Sequence, residues 1–416
     1  MFGITVLAFA VLANATFIED LEHRAFLYFW ERADPETGQV LDRAKADGSP
    51  EPRRIASIAA TGFGLTALCI GAAHGWIARP AAEARTLATL RFLATRLPRE
   101  HGWFYHFIDV RTGERQWESE LSSIDTALLL AGVLTAREYY GEQSEIGRLA
   151  QSIYEAIDFP WMLNGDPHLL SMGWKPESGF LNSRWDAYSE LMILYLEAIG
   201  SPTHPIPADS WYAWRRPHVH YDSYDFISIA PLFTHQYSLA WVDFRGLAED
   251  RGEHTDWFQN SVTATEANRA FCIDLHAKFN DYDPHAWGIT ASDSVKGYIA
   301  WGGPPMHSAI DGTLVPCAPG GSLMLTPDLA LAALQHMRTM MHGRVYQHYG
   351  FVDAFNPLTN WIDPDVIGID QGITLLSAEN MRTGNVWSWF MRNLYIGAAL
   401  AKAGLRPIKA AAAPPR

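Results

Sequence analysis

Glu190 is the residue of this sequence best placed to do chemistry. It stands directly before Leu191–Ile199, where almost every residue is apolar and no polar stripe is visible. A helix that is apolar all round is buried on all sides. A carboxyl at its edge loses water, and desolvation raises its pKa. That suits a general acid at neutral pH. Ser183 and Asp186 have the Ser-x-x-Asp spacing of a helix start, which predicts an N-cap at Ser183 and sets Glu190 about two turns into the helix. Trp174, Arg184, Trp185 and Tyr188 supply flat rings and a fork of donors, as a sugar site needs. The structural alternative is a plain ion pair between Glu190 and Arg184. Strained charges concentrate at working sites, which favours the functional reading.

Two further helix starts carry acids: Trp117 to Asp125, with Glu118 and Glu120, and Asp363 to Gly372, with Asp365 and Asp370. If the three starts converge on one mouth, carboxylates meet in a cleft. Glycoside hydrolysis requires that arrangement, with one acid to protonate the leaving oxygen and one base to activate water. Local spacing leaves structural roles open as well. Asp125 fits the third position of a capping box from Ser122, and Asp370 fits an N-cap for a helix after Gln371. A cap would lower the pKa of Asp370, so capping and acting as a base are compatible.

Other chemistries find little support. His204, His218, His220, His235 and His307 lie in or beside loops, with no His-x-x-x-His or cysteine pair to bind zinc. Asp281-x-Asp283 resembles the start of a calcium loop but lacks its glycine and closing glutamate, and reads as a solvated turn. Gly62-x-Gly64 lacks the third glycine of a dinucleotide fingerprint, and Gly-x-Ser-x-Gly is absent. No metal or cofactor is expected. Net charge is −14 with no Lys/Arg block, so nucleic acid and anionic membranes are poor partners. The same charge disfavours a lyase acting on uronates. The 16 Trp and 16 Tyr of the 416 residues suit a neutral polymer with sugar rings to stack.

The elements that must position these groups are mostly helices. Apolar periodicity predicts them over 17–33, 55–76, 80–96, 122–140, 144–159, 183–200, 235–245, 256–279, 327–342, 371–382 and up to 403. Residues 101–116 read as a short hairpin with a Thr112-Gly113 turn. Long loops at 201–234 and 280–326 are too aromatic for disorder. Gly62, Gly64 and Gly71 predict close packing in the second helix. About twelve helices in pairs, without a linker, fit one all-α domain over 16–406, an (α/α)6 toroid with long loops and a few β-hairpins. Residues 1–15 carry an apolar run and an Ala-Asn-Ala site, the pattern of a signal peptide for export to the periplasm or medium. The Ala/Pro-rich tail 407–416 is expected to fray. Cys69, Cys272 and Cys317 form no disulfide framework.

Four stretches resemble the bacterial β-1,2-glucanases of glycoside hydrolase family 144. They are Ser122–Leu128, Trp185 to Pro205 with its Tyr188-Ser189-Glu190 motif, Gly288–Asp293 and Gly368–Gly372. The resemblance implies an (α/α)6 barrel that cuts linear β-1,2-glucan to sophorose or short oligosaccharides, inverting and without a metal. It implies Glu190 as the acid, Asp370 as the base, and Glu120 and Asp125 as ligands of sugar hydroxyls. A base acting through a substrate hydroxyl, as in related glucanases, would place the two carboxyls further apart than the roughly 6.5–9.5 Å of ordinary inverting enzymes. Asp293, His235, Tyr237 and Trp301 are further expected subsite residues, beside Trp174, Arg184, Trp185 and Tyr188. Exo action, transglycosylation and non-catalytic glycan binding remain open alternatives.

Overall fold

The computed structural model describes residues 2–304 and 310–408, with the side chains of residues 2–13 outside that description. The signal-peptide expectation rests largely on side chains outside that description, and His307 lies outside the described residues. The tail expected from 407 begins in a strand, since Pro407 pairs with Leu247, and residues 409–416 lie outside the description.

Fourteen α-helical segments are present among the described residues. They are α1 Phe2–Glu31, α2 Ile58–Ala73, α3 Arg79–Thr95, α4 Ser123–Tyr140, α5 Glu145–Glu155, α6 Phe159–Leu163 and α7 Met192–Gly200, then α8 Tyr237–Trp241, α9 Trp257–Asp274, α10 Cys317–Gly321, α11 Pro327–Thr339, α12 Gly368–Arg382, α13 Asn385–Phe390 and α14 Leu394–Lys402. Their burial sorts them into two layers. In α2, α4, α7 and α12 nearly every side chain is buried. In α3 and α5 only one face is buried. Helices apolar all round belong inside, and helices with one apolar stripe belong outside.

The inner layer closes into a ring. Helix α2 packs on α4 and α12, α4 on α7, and α12 on α8 and α10. Ser238 of α8 joins α7 to it, accepting from the Ile193 amide at 3.1 Å and donating to the Glu190 carbonyl at 2.7 Å. The Trp241 indole donates to Thr66 Oγ1 of α2 at 3.0 Å. Outside, α1 covers α2 and α12, α5 covers α4, α14 covers α7 and α11 covers α10. This is the expected (α/α)6 ring, with α8 and α10 reduced to five residues each.

Glycine sets the tightest contact. A Cβ on Gly132 of α4 would stand 2.0 Å from the Gly62 carbonyl oxygen, and one on Gly62 would stand 2.2 Å from the Leu128 carbonyl oxygen. The two helices touch backbone to backbone, as the glycine pattern of α2 predicted.

Three inner helices are entered from short antiparallel strands. Arg43–Lys45 pairs with Asp365–Ile367 just before α12, Ile55–Ser57 pairs with Phe107–Asp109 just before α2, and Leu121–Ser122 pairs with Gly173–Lys175 just before α4. Ser57 and Ser122 then cap α2 and α4, accepting from the amides of Ala60 at 3.3 Å and Asp125 at 3.2 Å.

Several boundaries differ from expectation. The cap at Ser183 does not form. Residues 183–191 stay irregular because Arg184 bridges to Ser171 and Ala187 to Arg215, and the helix begins at Met192 with Glu190 just ahead of it. Helix α12 starts at Gly368, so Asp370 sits in its first turn and Ile367 takes the cap position. The hairpin expected over 101–116 forms over 107–116, with an Ile108–Arg115 bridge, Asp109 N–H to the Glu114 carbonyl at 2.8 Å and Gln116 N–H to the Phe107 carbonyl at 2.9 Å, while 107–109 also pairs with 55–57. Asp283 closes a turn on the amides of His285 and Ala286, at 2.6 and 2.9 Å.

Gly132→Ala should destabilise the fold by about 3 kcal/mol, the upper end of the cost of overpacking, because the obstacle is backbone. Urea unfolding measures it, and an unchanged midpoint would contradict the contact.

Candidate active site

The N-terminal ends of the inner helices open on one cavity of about 580 Å³. Ser57 lines it from α2, Ser122 and Asp125 from α4, Glu190 from α7, and Ile367 and Ile369 from α12. Two of the three acid-bearing starts therefore bring carboxylates to it, while the third brings Ile367 and Ile369 but not its own acids. Trp185 and Tyr237 also line the wall, with His106, Arg43, Phe233 and Trp117.

Glu190 is half-buried, and burial raises its pKa to about 7, with the charge of Asp125 adding to the shift. No cation pairs with it among the described residues. Glu120 and Asp125 are held differently. His106 Nδ1 lies 3.1 Å from Glu120 Oε1, and its Nε2 lies 3.4 Å from Asp125 Oδ1. Ser122 Oγ donates to Asp125 Oδ2 at 2.5 Å. Burial pulls the His106 pKa down, but Asp125 and Glu120 outweigh it and the net shift is upward. Burial pushes Glu120 up, and the hydrogen bond from His106 reverses the sign. Both shifts favour a proton on the His106 imidazole and a charge on Glu120.

Arg43 forms a second bridge. Its Nη1 binds Asp293 Oδ2 at 2.6 Å and its Nε binds Asp42 Oδ2 at 3.2 Å. This pins the 293–300 loop beside the cavity, and Tyr298 of that loop lines the wall while remaining 54% exposed.

Asp370 does not meet the other carboxylates on the cavity wall, contrary to expectation, because the first turn of α12 turns it into the core. It is 5% exposed and lies in a small separate cavity with Cys317 and Asp353. The Cys317 thiol donates to Asp370 Oδ1 at 3.3 Å. Burial raises the Asp370 pKa to about 6, against the lowering by hydrogen bonds from Asp353 and Cys317. Tyr237 and Tyr298 line the main cavity, and their hydroxyl pKa values rise first through burial and then through the charge of Asp370. Tyr237 also feels the charge of Glu190, with which it shares the cavity lining.

Five expected subsite residues take structural places instead. Arg184 donates to the carbonyls of Leu163 at 2.8 Å and Leu169 at 2.7 Å, stitching the 163–171 loop. Trp174 packs on Trp161, with centroids 5.7 Å apart. Tyr188 is stacked on Trp257 in the core, and its hydroxyl meets His235 Nδ1 at 2.8 Å. Burial drives the His235 pKa down to about 3, so the ring stays neutral. Trp301 is buried and donates to Ser292 Oγ at 3.0 Å. Apolar rings next to a motif are as readily core as ligand, and spacing alone does not separate the two.

The sequence reading missed His106, Arg43, Asp42, Tyr298 and Asp353. His106 has no sequence spacing to betray it. The Tyr105–Leu121 bridge and the His106 N–H to Glu120 carbonyl bond of 2.9 Å bring it to Glu120. Trp117 was legible only as part of a helix start. It is 64% exposed on the cavity rim with φ +53°, a strained backbone that holds a ring out to solvent.

Three groups among the described residues bring donor atoms within 4.8 Å of one another, as an ion site would: Glu22, His74 and Glu379; His106, Glu120 and Asp125; Asp293, Asp353 and Asp363. Each already contains or binds a protein cation: Arg382 on Glu22, His106 itself, and Arg43 on Asp293. No described helix is long and apolar enough to cross a membrane.

The same ring of paired helices is found in solved proteins. The glycoamylase family profile, described as "putative glucoamylase", matches residues 182–394, half of the chain, and the chain belongs to this family. The endo-β-1,2-glucanase of Chitinophaga pinensis, solved with sophorotriose and glucose, superposes with a TM-score of 0.87 at 28% identity, over 94% of this chain and 98% of that one. A protein from Bacteroides fragilis described as a glucoamylase gives 0.87 at 28%, over 95% and 98%. The exo-β-1,2-glucooligosaccharide sophorohydrolase of Parabacteroides distasonis is 26% identical over 91% of this chain, which spans 56% of that relative's length.

With Glu190 as proton donor, kcat/KM should fall about tenfold per pH unit above roughly 7. Asp125→Asn removes a charge that raises the Glu190 pKa, so this basic limb should move to lower pH. An unmoved limb would contradict the coupling. The folded value exceeds the unfolded 4.5, so protonated Glu190 contributes stability that is full below pH 4.5 and lost as pH rises through about 7.

Proposed function

We propose that this protein is a glycoside hydrolase acting on linear β-1,2-glucan or its oligosaccharides, releasing sophorose or short sophoro-oligosaccharides with inversion. The observation that carries the reading is Glu190, a half-buried carboxyl raised to about 7 with no cation beside it among the described residues, facing a cavity that also holds Glu120, whose carboxyl His106 holds below the usual range. Carboxyls pushed to different pKa values define the acid and base of such a site. Linkage rests on the two β-1,2-specific relatives.

In this reading Glu190 protonates the departing glycosidic oxygen. Asp370 is the base, and its place outside the main cavity lining supports proton transfer relayed through a substrate hydroxyl. The charged Glu120–His106–Asp125 trio offers acceptors to sugar hydroxyls, and Trp117 and Trp185 offer ring faces. Export to the periplasm or medium is part of the proposal and rests on the apolar N-terminal pattern.

Incubation with β-1,2-, β-1,3-, β-1,4- and α-1,4-glucans, with product analysis, should give sophorose or short oligosaccharides from the β-1,2 polymer alone. Glu190→Gln should lower that turnover by about 10²–10⁴-fold with the fold intact. Saturable binding without release of reducing sugar would overturn the hydrolase reading, as would wild-type turnover in the variant.

A further inference from the structure

Beside the proposed base is a second acid that the reaction, as described so far, does not use. Asp353 is 2% exposed and lies next to Asp370 in the small cavity. Its Oδ2 accepts from the Asp293 amide at 2.7 Å. Its Oδ1 is buried and meets no donor. The carboxyl within hydrogen-bonding reach is that of Asp370, an acceptor when ionised.

We propose that Asp353 is the positioning residue for Asp370: the two carboxyls share one proton, held on Asp353, and that hydrogen bond fixes Asp370 as an oriented anion. The proposal rests on the assignment of Asp370 as base. Two buried carboxylates in contact would leave Asp353 Oδ1 against a lone pair, with the full cost of an unmet polar group and a like charge. One proton between them satisfies both.

The surroundings decide which carboxyl keeps the proton. Asp370 lies in the first turn of α12, where the helix dipole favours an anion, and it receives the Cys317 thiol. Asp353 receives one backbone amide. The other ionisable neighbours are Asp363, Asp42 and Asp293, the last two neutralised by Arg43, with the neutral hydroxyls of Tyr237 and Tyr298. Burial first, and then the charge of Asp370, drive Asp353 well above the usual carboxylate range. During turnover Asp370 takes the proton arriving from the substrate side, and Asp353 keeps its own.

The test compares Asp353→Ala and Asp353→Asn with Asp370→Asn in the full chain. Alanine removes the donor to Asp370. It should lower kcat by about 10²-fold with KM little changed, and move the acidic limb of the pH profile upward. Asparagine can donate its amide N–H to Asp370 while its oxygen accepts from Asp293, so it should recover most of that loss and return the limb toward its wild-type position. Loss in Asp353→Asn as deep as in Asp370→Asn would overturn the proposal, since a negative charge at 353 would then be required. Full activity in Asp353→Ala would overturn it equally. Should the wild type fail to cleave any glucan, the functional reading fails instead. An infrared difference spectrum of wild type against each Asp353 variant at neutral pH, showing one protonated-carboxyl band missing from both variants beside the unchanged bands of the other buried acids, then still tests the shared proton; no missing band would overturn it.

Discussion

An apolar inner helix has no side on which to carry a functional group toward water. That constraint organises the molecule. Helices α2, α4, α7 and α12 bury nearly every side chain, so their polar chemistry is confined to their ends. The backbone contact of Gly62 with α4 holds two of these helices as close as two chains can come. The strands entering α2, α4 and α12 then fix which residues stand at the mouth. A site of converging helix starts follows from packing rather than from any single motif.

Burial concentrates acids there, and the protein sorts them by how each is compensated. Glu120 and Asp125 share His106, and Asp42 and Asp293 share Arg43. Asp353 and Asp370 have only a proton to divide between them. Glu190 has neither a cation nor a shared proton, so desolvation acts on it unopposed by any charge partner. A group left that way at neutral pH is an acid able to give up its proton, while Glu120, held down by His106, stays ionised and accepts hydrogen bonds.

Much of this was legible in the sequence. The all-round apolar character of 191–199 marked an inner helix, and the desolvation argument for Glu190 needed only its position beside that run. Ser122 read correctly as the cap of α4, because a capping box is a local signal. The failures were tertiary. Ser183 looked like a cap, but bridges from Arg184 and Ala187 to distant segments outweighed the local spacing. Tyr188 and His235 pair with each other in the core, a contact across 47 residues that no spacing announces. His106 and Asp353 reach the site through strand register and loop return, so their chemistry appears only once the chain is folded.

The claim on which the account turns is that Glu190 remains protonated near neutrality because the folded ring strips it of water. A ¹³C NMR titration of labelled glutamate carboxyls, with the Glu190 signal assigned by its loss in Glu190→Gln, measures this without any substrate. The account predicts a midpoint of about 7 for that carboxyl. A midpoint near the ordinary 4.5 of a solvated glutamate would contradict it.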